Sequence, residues 1–182
     1  MNLIRVDGSH PLFEEAFALY ETSFPPNERR TRADHLRAMQ DTAFEPLCAM
    51  EDDTLLADVF LWKTSEFVYL EHFAVQPTLR GHGCGSQILQ QLLHTSSPFI
   101  LEIEPPTDAL TCRRKRFYER NGLHAQPYRH VQLPFQSGGE IQPLVIMAQQ
   151  ELSPAQCREF QRFLLDRVVL YTQYDVKNAP AF

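Results

Sequence analysis

Apolar side chains recur along this chain at two periods, one near four residues and one of two, and the switches between them lay out the elements. Asn2 to Asp7 reads as a short strand. Leu12, Phe13, Ala16, Phe17 and Tyr20 then fall at helical spacing, behind a Ser9 able to cap the helix and a Pro11 in its first turn. Pro25 and Pro26 end that helix, because proline has no amide hydrogen to continue the ladder. A more polar helix spans about Asn27 to Gln40. Three strand-like runs follow, roughly Pro46–Met50, Leu55–Lys63 and Phe67–Val75, the first two joined by a turn at Glu51-Asp52-Asp53.

Helical spacing returns over Ser86–His94, with Ile88, Leu89, Leu92 and Leu93 on one face. Pro98–Ile103 is a short buried strand. Thr111–Asn121 is a helix stopped by Asn121-Gly122, with glycine where a helix end favours it. Two more strands fit around Tyr128–Leu133 and Leu144–Ala148, joined through Ser137-Gly138-Gly139. Ser153, Pro154 and Gln156 then form a capping box, and Phe160, Phe163, Leu164, Val168 and Tyr171 keep helical spacing to about Tyr174. The expected organisation is one mixed α/β domain, residues 1–150, followed by a helical extension, 151–182. That extension packs on its own domain or forms a homodimer contact.

Composition narrows the function. An excess of 23 acidic over 17 basic side chains gives a net charge of −6, the opposite of what phosphate neutralisation by a nucleic-acid binder requires. The four cysteines stand apart, without C-x-x-C spacing or a nearby histidine, so neither a disulfide framework nor a metal site is expected. No apolar run reaches the roughly 18 residues needed to cross a bilayer. These features point to a cytoplasmic protein with no membrane or nucleic-acid partner.

One segment stands out. The chain holds only seven glycines, and three of them, Gly81, Gly83 and Gly85, fall within five residues between a strand and a helix. A helix N-terminus offers unpaired amides and the positive end of the helix dipole, and it attracts phosphate. Glycines keep side chains out of the way and permit the positive φ angles of a backbone nest, while Arg80 adds a charge. The spacing is neither that of a nucleoside-triphosphate loop, which needs Gly-Lys, nor the G-x-G-x-x-G dinucleotide fingerprint.

Arg80-x-x-Gly83-x-Gly85, after a strand ending His72-Phe73-Ala74-Val75, resembles the acetyl-CoA loop of the GNAT N-acetyltransferases. Phe99–Pro106 followed by Arg116–Leu123, with Tyr118, resembles that superfamily's fifth strand and fourth helix. The resemblance covers residues 2–148. It implies a central mixed sheet with splayed fourth and fifth strands, flanked by helices, and transfer of an acetyl group from acetyl-CoA to a primary amine by direct attack. It further implies that backbone groups of Phe73 and Val75 hold the pantetheine arm. The amides of Gly81, His82, Gly83, Cys84, Gly85 and Ser86 would cradle the pyrophosphate, and Tyr118 would protonate the departing thiolate. Thr111 stands where many members place a cofactor-contacting asparagine, and it can equally cap the helix that follows. A catalytically silent CoA-binding or sensing module is the alternative.

Such a reaction needs a base, because an alkylamine is almost wholly protonated at neutral pH. Glu71 and Glu102 on the central strands are the candidates, with Glu104 behind them; a salt bridge to an arginine of the adjacent helix is the competing role for Glu102 and Glu104. Strand alternation turns His72 to the face opposite Glu71, as a core histidine. Arg113, Arg116 and Arg120 form a basic strip suited to a phosphate, or a solvated helix face supported by a Lys115–Glu119 pair. The acceptor is expected against Glu28, Arg29 and Arg30 and against Tyr128–Phe135.

Overall fold

The computed structural model describes residues 1–95, 97–175 and 177. Its main sheet joins β1 (Asn2–Arg5), β2 (Phe44–Glu51), β3 (Thr54–Lys63), β4 (Val68–Val75), β5 (Phe99–Ile103), β6 (His124–Ala125) and, later in the chain, β9 (Val145–Ala148). Their order is β1-β2-β3-β4-β5-β9-β6. β4 and β5 run parallel; every other neighbouring pair is antiparallel. Between them in sequence, β7 (Val131–Gln132) and β8 (Gln142–Pro143) make a separate two-stranded ribbon. The mixed α/β architecture is the one expected from the residue pattern.

Helices cover both faces. α1 (Phe13–Ser23), α2 (Arg32–Ala38) and α5 (Pro154–Asp166) enclose a core of Phe17, Tyr20, Phe44, Phe60, Trp62, Tyr69 and Phe160. α3 (Cys84–Leu92) and α4 (Ala109–Arg120) cover the other face, over Val59, Leu61, Leu70, Ile88, Leu89 and Leu101. The sheet is continuous only at one end of the β4–β5 pair. Val68, Tyr69 and Leu70 pair with Phe99, Ile100 and Leu101, and beyond that point the two strands part. An opening through the sheet results.

Several expected boundaries move, each for a local reason. α1 starts at Phe13, and Ser9 does not cap it; Ser9 instead donates from both its amide and its hydroxyl to Asp7 Oδ1, at 2.8 and 2.7 Å. The long polar helix over 27–40 is a 3₁₀ turn at Pro26–Glu28 and a short α2, whose Thr31 hydroxyl accepts the amide of Asp34 at 3.2 Å. α4 starts earlier, at Ala109, because Asp108 caps it. The strand expected around Tyr128–Leu133 shrinks to two residues on the ribbon, and β9 pairs with β5 and with β6, a two-residue strand the pattern did not show.

The tail follows its capping signature and then departs from it. Ser153 Oγ accepts the Gln156 amide at 3.2 Å, and Gln156 Oε1 accepts the Ser153 amide at 2.9 Å. The helix stops at Asp166, and a 3₁₀ turn over Val168–Tyr171 replaces the continuation expected to Tyr174. Phe160 packs edge-on against Tyr69, with ring centroids 5.1 Å apart. Arg167 donates twice to the buried Asp41, at 2.5 and 2.7 Å, and the Tyr171 hydroxyl donates to the same carboxylate at 2.8 Å. Of the extension read as 151–182, positions 176 and 178–182 lie outside the described residues.

Candidate active site

β4 leaves the sheet at Val75, turns through Pro77–Leu79, and reaches α3 by way of the three glycines. Gly81 and Gly83 both have φ +85°, a left-handed conformation that a side chain resists, and Gly83 is the residue that caps α3. Gly85 serves packing: a Cβ there would lie 3.4 Å from Val75 Cγ2 and 3.5 Å from Phe117 Cζ. Among the described residues, the amides of Gly81, His82, Gly83, Cys84 and Gly85 donate to no backbone carbonyl. The Ser86 amide is different. It donates to Gly83 O at 3.0 Å, so the expected cradle ends one residue earlier. The Ser86 hydroxyl accepts from Asn121 Nδ2 at 3.2 Å, tying α3 to α4. His82 is exposed, and neither its side chain nor that of Cys84 lines the cleft described next; each would contribute its amide alone.

A cleft of about 710 Å³ runs from this bend into the opening between β4 and β5. Its β4 wall is an unpaired strand edge. The Gln76 amide points to β3, donating to Leu56 O at 2.9 Å, so alternation turns the Phe73 and Val75 amides toward the cleft. Arg80 Nε donates to Val75 O at 2.9 Å, which fixes the arginine at the cleft mouth. Arg113, Arg114 and Arg120 also border the cleft, whereas Arg116 does not. Lys115 pairs with Glu119 along the helix surface.

Tyr118 lines the cleft from α4, half-buried, with its ring 5.1 Å from that of Phe117. Its hydroxyl makes no hydrogen bond among the described residues. Burial pushes that hydroxyl up to about 12, with Arg114 opposing and Glu104 assisting, so it is neutral and carries its proton at physiological pH.

Thr111 is a structural residue. Its Oγ1 accepts the Asp108 amide at 3.0 Å while Asp108 Oδ1 accepts the Thr111 amide at 2.8 Å, a reciprocal capping box at the start of α4. Thr111 is buried and does not line the cleft. Its expected contact with a cofactor is therefore withdrawn.

The two candidate bases are held in opposite ways. A β-bulge places Phe60 opposite His72 and Leu61 opposite Leu70, leaving Glu71 with no partner on β3. The bulge resets the alternation, so Glu71 and His72 share a face and approach to 3.3 Å, contrary to the expected opposition. Glu71 is gripped by Arg30, whose two terminal nitrogens donate at 2.5 and 2.7 Å. Both side chains are buried, with exposures of 0% and 1%. Burial alone raises a carboxyl pKa, but the Arg30 charge and hydrogen bonds outweigh it and hold Glu71 well below the usual carboxylate range. A carboxylate so held cannot serve as a base. Arg30, expected near the acceptor, is likewise committed: it lies within the core, 5.0 Å over the Phe135 ring, and donates from Nε to Tyr171 O at 3.1 Å.

Glu102 pairs with no lysine or arginine among the described residues. Its Oε2 accepts the Tyr69 hydroxyl and its Oε1 meets His130 Nε2, so only a hydroxyl and an imidazole hold it, at the wall of the cleft. Glu104 is the residue that pairs with an arginine of the adjacent helix, Arg114. Glu28, in the turn after α1, lines the same cleft with no hydrogen bond to its carboxylate among the described residues; burial first, and then the charge of Glu104, raise its pKa. His72 is a satisfied core histidine, with Nε2 2.7 Å from Glu28 O and its ring edge-on to Tyr20 and Phe24. Tyr69 and His130 were not found by sequence reasoning. They lie 33 and 28 residues from Glu102 and carry no local signature. Among the described residues, no three His, Cys, Asp or Glu side chains cluster as a metal would need, and no helix is long and apolar enough to cross a membrane.

A family model described as the acetyltransferase (GNAT) family matches residues 12–123. Over 63 residues the chain is 35% identical to "Putative acetyltransferase YjbC" of Bacillus subtilis (strain 168), a match spanning 33% of each protein. Among solved structures it is similar to "Putative acetyltransferase from GNAT family" of Bacteroides thetaiotaomicron, 27% identical, with a TM-score of 0.85 over 95% of this chain and 100% of that one. A Bacillus subtilis acetyltransferase in complex with CoA shares the fold at 15% identity, with a TM-score of 0.58 over 83% of this chain and 99% of that one.

Proposed function

Because this chain belongs to the GNAT family of acetyltransferases, we infer that it moves an acetyl group from acetyl-CoA to a primary amine, with Glu102 as the base and Tyr118 as the acid. One observation carries this reading: a single cleft joins the free amides of the glycine bend to Tyr118 and Glu102. The amides from Gly81 to Gly85 suit the pyrophosphate of the donor, and the open edge of Phe73 and Val75 suits its amide-bearing arm. Arg80, Arg113 and Arg120 supply positive charge at that end.

The acceptor end is acidic. Glu28 has an uncommitted carboxylate there and favours an ammonium over a neutral or anionic ligand. Glu102 takes one proton from that ammonium. The amine nitrogen attacks the thioester carbonyl, forming the C–N bond, while the Phe73 or Val75 amide donates to the developing oxyanion. When the C–S bond breaks, Tyr118 gives its proton to the thiolate; the remaining excess proton on nitrogen leaves through solvent, from which Tyr118 is restored, and Glu102 returns its own proton to solvent. The sum is ammonium plus thioester to amide, free thiol and one proton.

Replacing Tyr118 with phenylalanine keeps the ring and removes the donor. With a responsive acceptor found by screening amines for thiol release, Tyr118→Phe lowers turnover at least about tenfold. CoA affinity by calorimetry stays within about twofold. Turnover equal to that of the unaltered protein defeats the acid role.

A further inference from the structure

Glu102 borders two spaces. Besides the long cleft, a smaller cavity of about 40 Å³ opens against the same carboxylate, and Tyr69, Glu102, Gln132 and Phe135 line both. The rest of its wall is aliphatic apart from Thr172: Val131 from β7, Leu133 just after it, and Leu164, Val168 and Val169 from α5 and the 3₁₀ turn that follows. Leu164, Val168 and Val169 belong to the tail, and this whole part of the wall lies beyond the matched residues 12–123. The tail is fixed in place there by the Asp41 pair to Arg167 and by the Arg30 Nε bond to Tyr171 O.

We propose that this cavity is a subsite for the alkyl substituent of the acceptor, so that the protein acetylates small aliphatic primary amines, with the nitrogen at Glu102 and the alkyl group against Leu164, Val168 and Val169. The proposal rests on the transferase reading and adds a substrate class to it. Position supports it, because Tyr69, Glu102, Gln132 and Phe135 are common to both walls, which sets the cavity directly beside the carboxylate. Chemistry supports it too: five aliphatic side chains dominate the wall and the Thr172 hydroxyl is spent on Val169 O, so a polar substituent would lose more hydration than it regains. Size sets the limit. A water occupies about 30 Å³ of liquid and a dry cavity of about 150 Å³ holds benzene, so the space accepts an alkyl group of roughly two or three carbons and refuses a ring. Tail residues thereby select the acceptor, and the glycine bend has no part in that choice.

Methylamine, ethylamine, propylamine, isopropylamine and benzylamine, each with acetyl-CoA, test this through thiol release. kcat/KM rises about tenfold from methylamine to the two- and three-carbon amines, since one methylene in an apolar pocket is worth that much, and it collapses for benzylamine. Leu164→Ala, at a half-buried position, enlarges the cavity and moves the optimum toward benzylamine; Val169→Ala does the same if Leu164→Ala is poorly folded. Thiol release that is indifferent to alkyl size and unchanged in both variants overturns the subsite and leaves the transferase standing. Where no amine releases thiol, thermal unfolding with the same amines separates the two claims. A size-dependent rise in Tm, altered by Leu164→Ala, sustains the subsite and removes the transferase reading. Its absence overturns the subsite as well.

Discussion

The two faces of the sheet are built by different means. On the α3–α4 face the candidate donor site consists of backbone groups from one contiguous stretch: the edge of β4, the glycine bend and the first turn of α3. On the α1–α2–α5 face the candidate acceptor site consists of side chains held in pairs across long separations in sequence. Arg30 meets Glu71, Glu102 meets His130, and Asp41 meets Arg167. The first design needs conformation, so glycine and helix geometry suffice. The second needs buried polar and charged groups matched to one another, where each depends on its partner. Changes on the donor face should therefore alter binding with the fold intact, and changes on the acceptor face should alter stability first.

The Arg30–Glu71 pair is the severest test of that contrast. Arg30→Met leaves a buried carboxylate with no counter-charge, and loss of one partner of such a pair costs about 3–5 kcal/mol. Denaturant unfolding should show that loss, and the double variant Arg30→Met/Glu71→Leu should regain most of it, because an apolar replacement of the whole pair carries no stranded charge. A single variant as stable as the parent would erase the distinction between the faces. The donor-face counterpart is Gly83→Glu. Positive φ and a negative side chain at the cap of α3 should weaken CoA binding at least about 100-fold by calorimetry, with the loss of stability limited to the roughly 1–2 kcal/mol of a left-handed non-glycine residue, since a Cβ at Gly83 meets nothing within 4 Å. Normal CoA affinity would remove the glycine bend from the site.

This division also explains which parts were legible in the residues. Gly81, Gly83 and Gly85 announce themselves because a positive φ and a helix start are local events. Tyr118 came from the resemblance of Arg116–Leu123 to a family helix, since periodicity alone reads it and Phe117 as ordinary core aromatics. Glu71 was misjudged because the bulge that re-aims it depends on the register of β3, which no window around residue 71 contains. The same bulge inverted the expected relation of Glu71 to His72. Thr111 had two readings, cofactor contact and helix cap, and Asp108, three residues earlier, supplies the reciprocal half of a capping box. β6 and β7, each two residues long, are too short for any alternation to show.

The acceptor face holds one more buried acid, and it is neutral. Asp58 on β3 is fully buried beside Cys48, whose thiol donates to Oδ1 at 3.7 Å, and its Oδ2 has no partner among the described residues. Burial, with a small contribution from Glu15 and against the Cys48 hydrogen bond, pushes its carboxyl up to about 8. The native state thus keeps a proton that the unfolded chain releases near its ordinary 3.8. Between those values the unfolded state binds fewer protons, so stability falls as pH rises. From pH 6 to pH 8 the loss attributable to Asp58 is about 2 kcal/mol, and Asp58→Asn should flatten that slope in unfolding curves taken across the interval. An unchanged slope would place the charge of Asp58 outside the energetics of this face.

The mildest expectation reverses the roles of the two faces and so probes the contrast most finely. Thr111 sits on the donor side, one turn into α4, yet its contacts are those of the helix start rather than of the cleft. Thr111→Ala breaks the reciprocal hydrogen bond to the Asp108 amide while leaving Asp108 Oδ1 able to accept the amides of Leu110 and residue 111. Loss of half a capping box costs about 0.5–2 kcal/mol, and the value here should lie toward the lower end because the aspartate cap survives. CoA affinity should move by less than about twofold, since no atom of the cradle shifts and the effect is confined to the first turn of α4. A variant of full stability that binds CoA several-fold more weakly would return Thr111 to the donor site, and it would show that this face, too, relies on side chains whose role cannot be read from the backbone around the glycines.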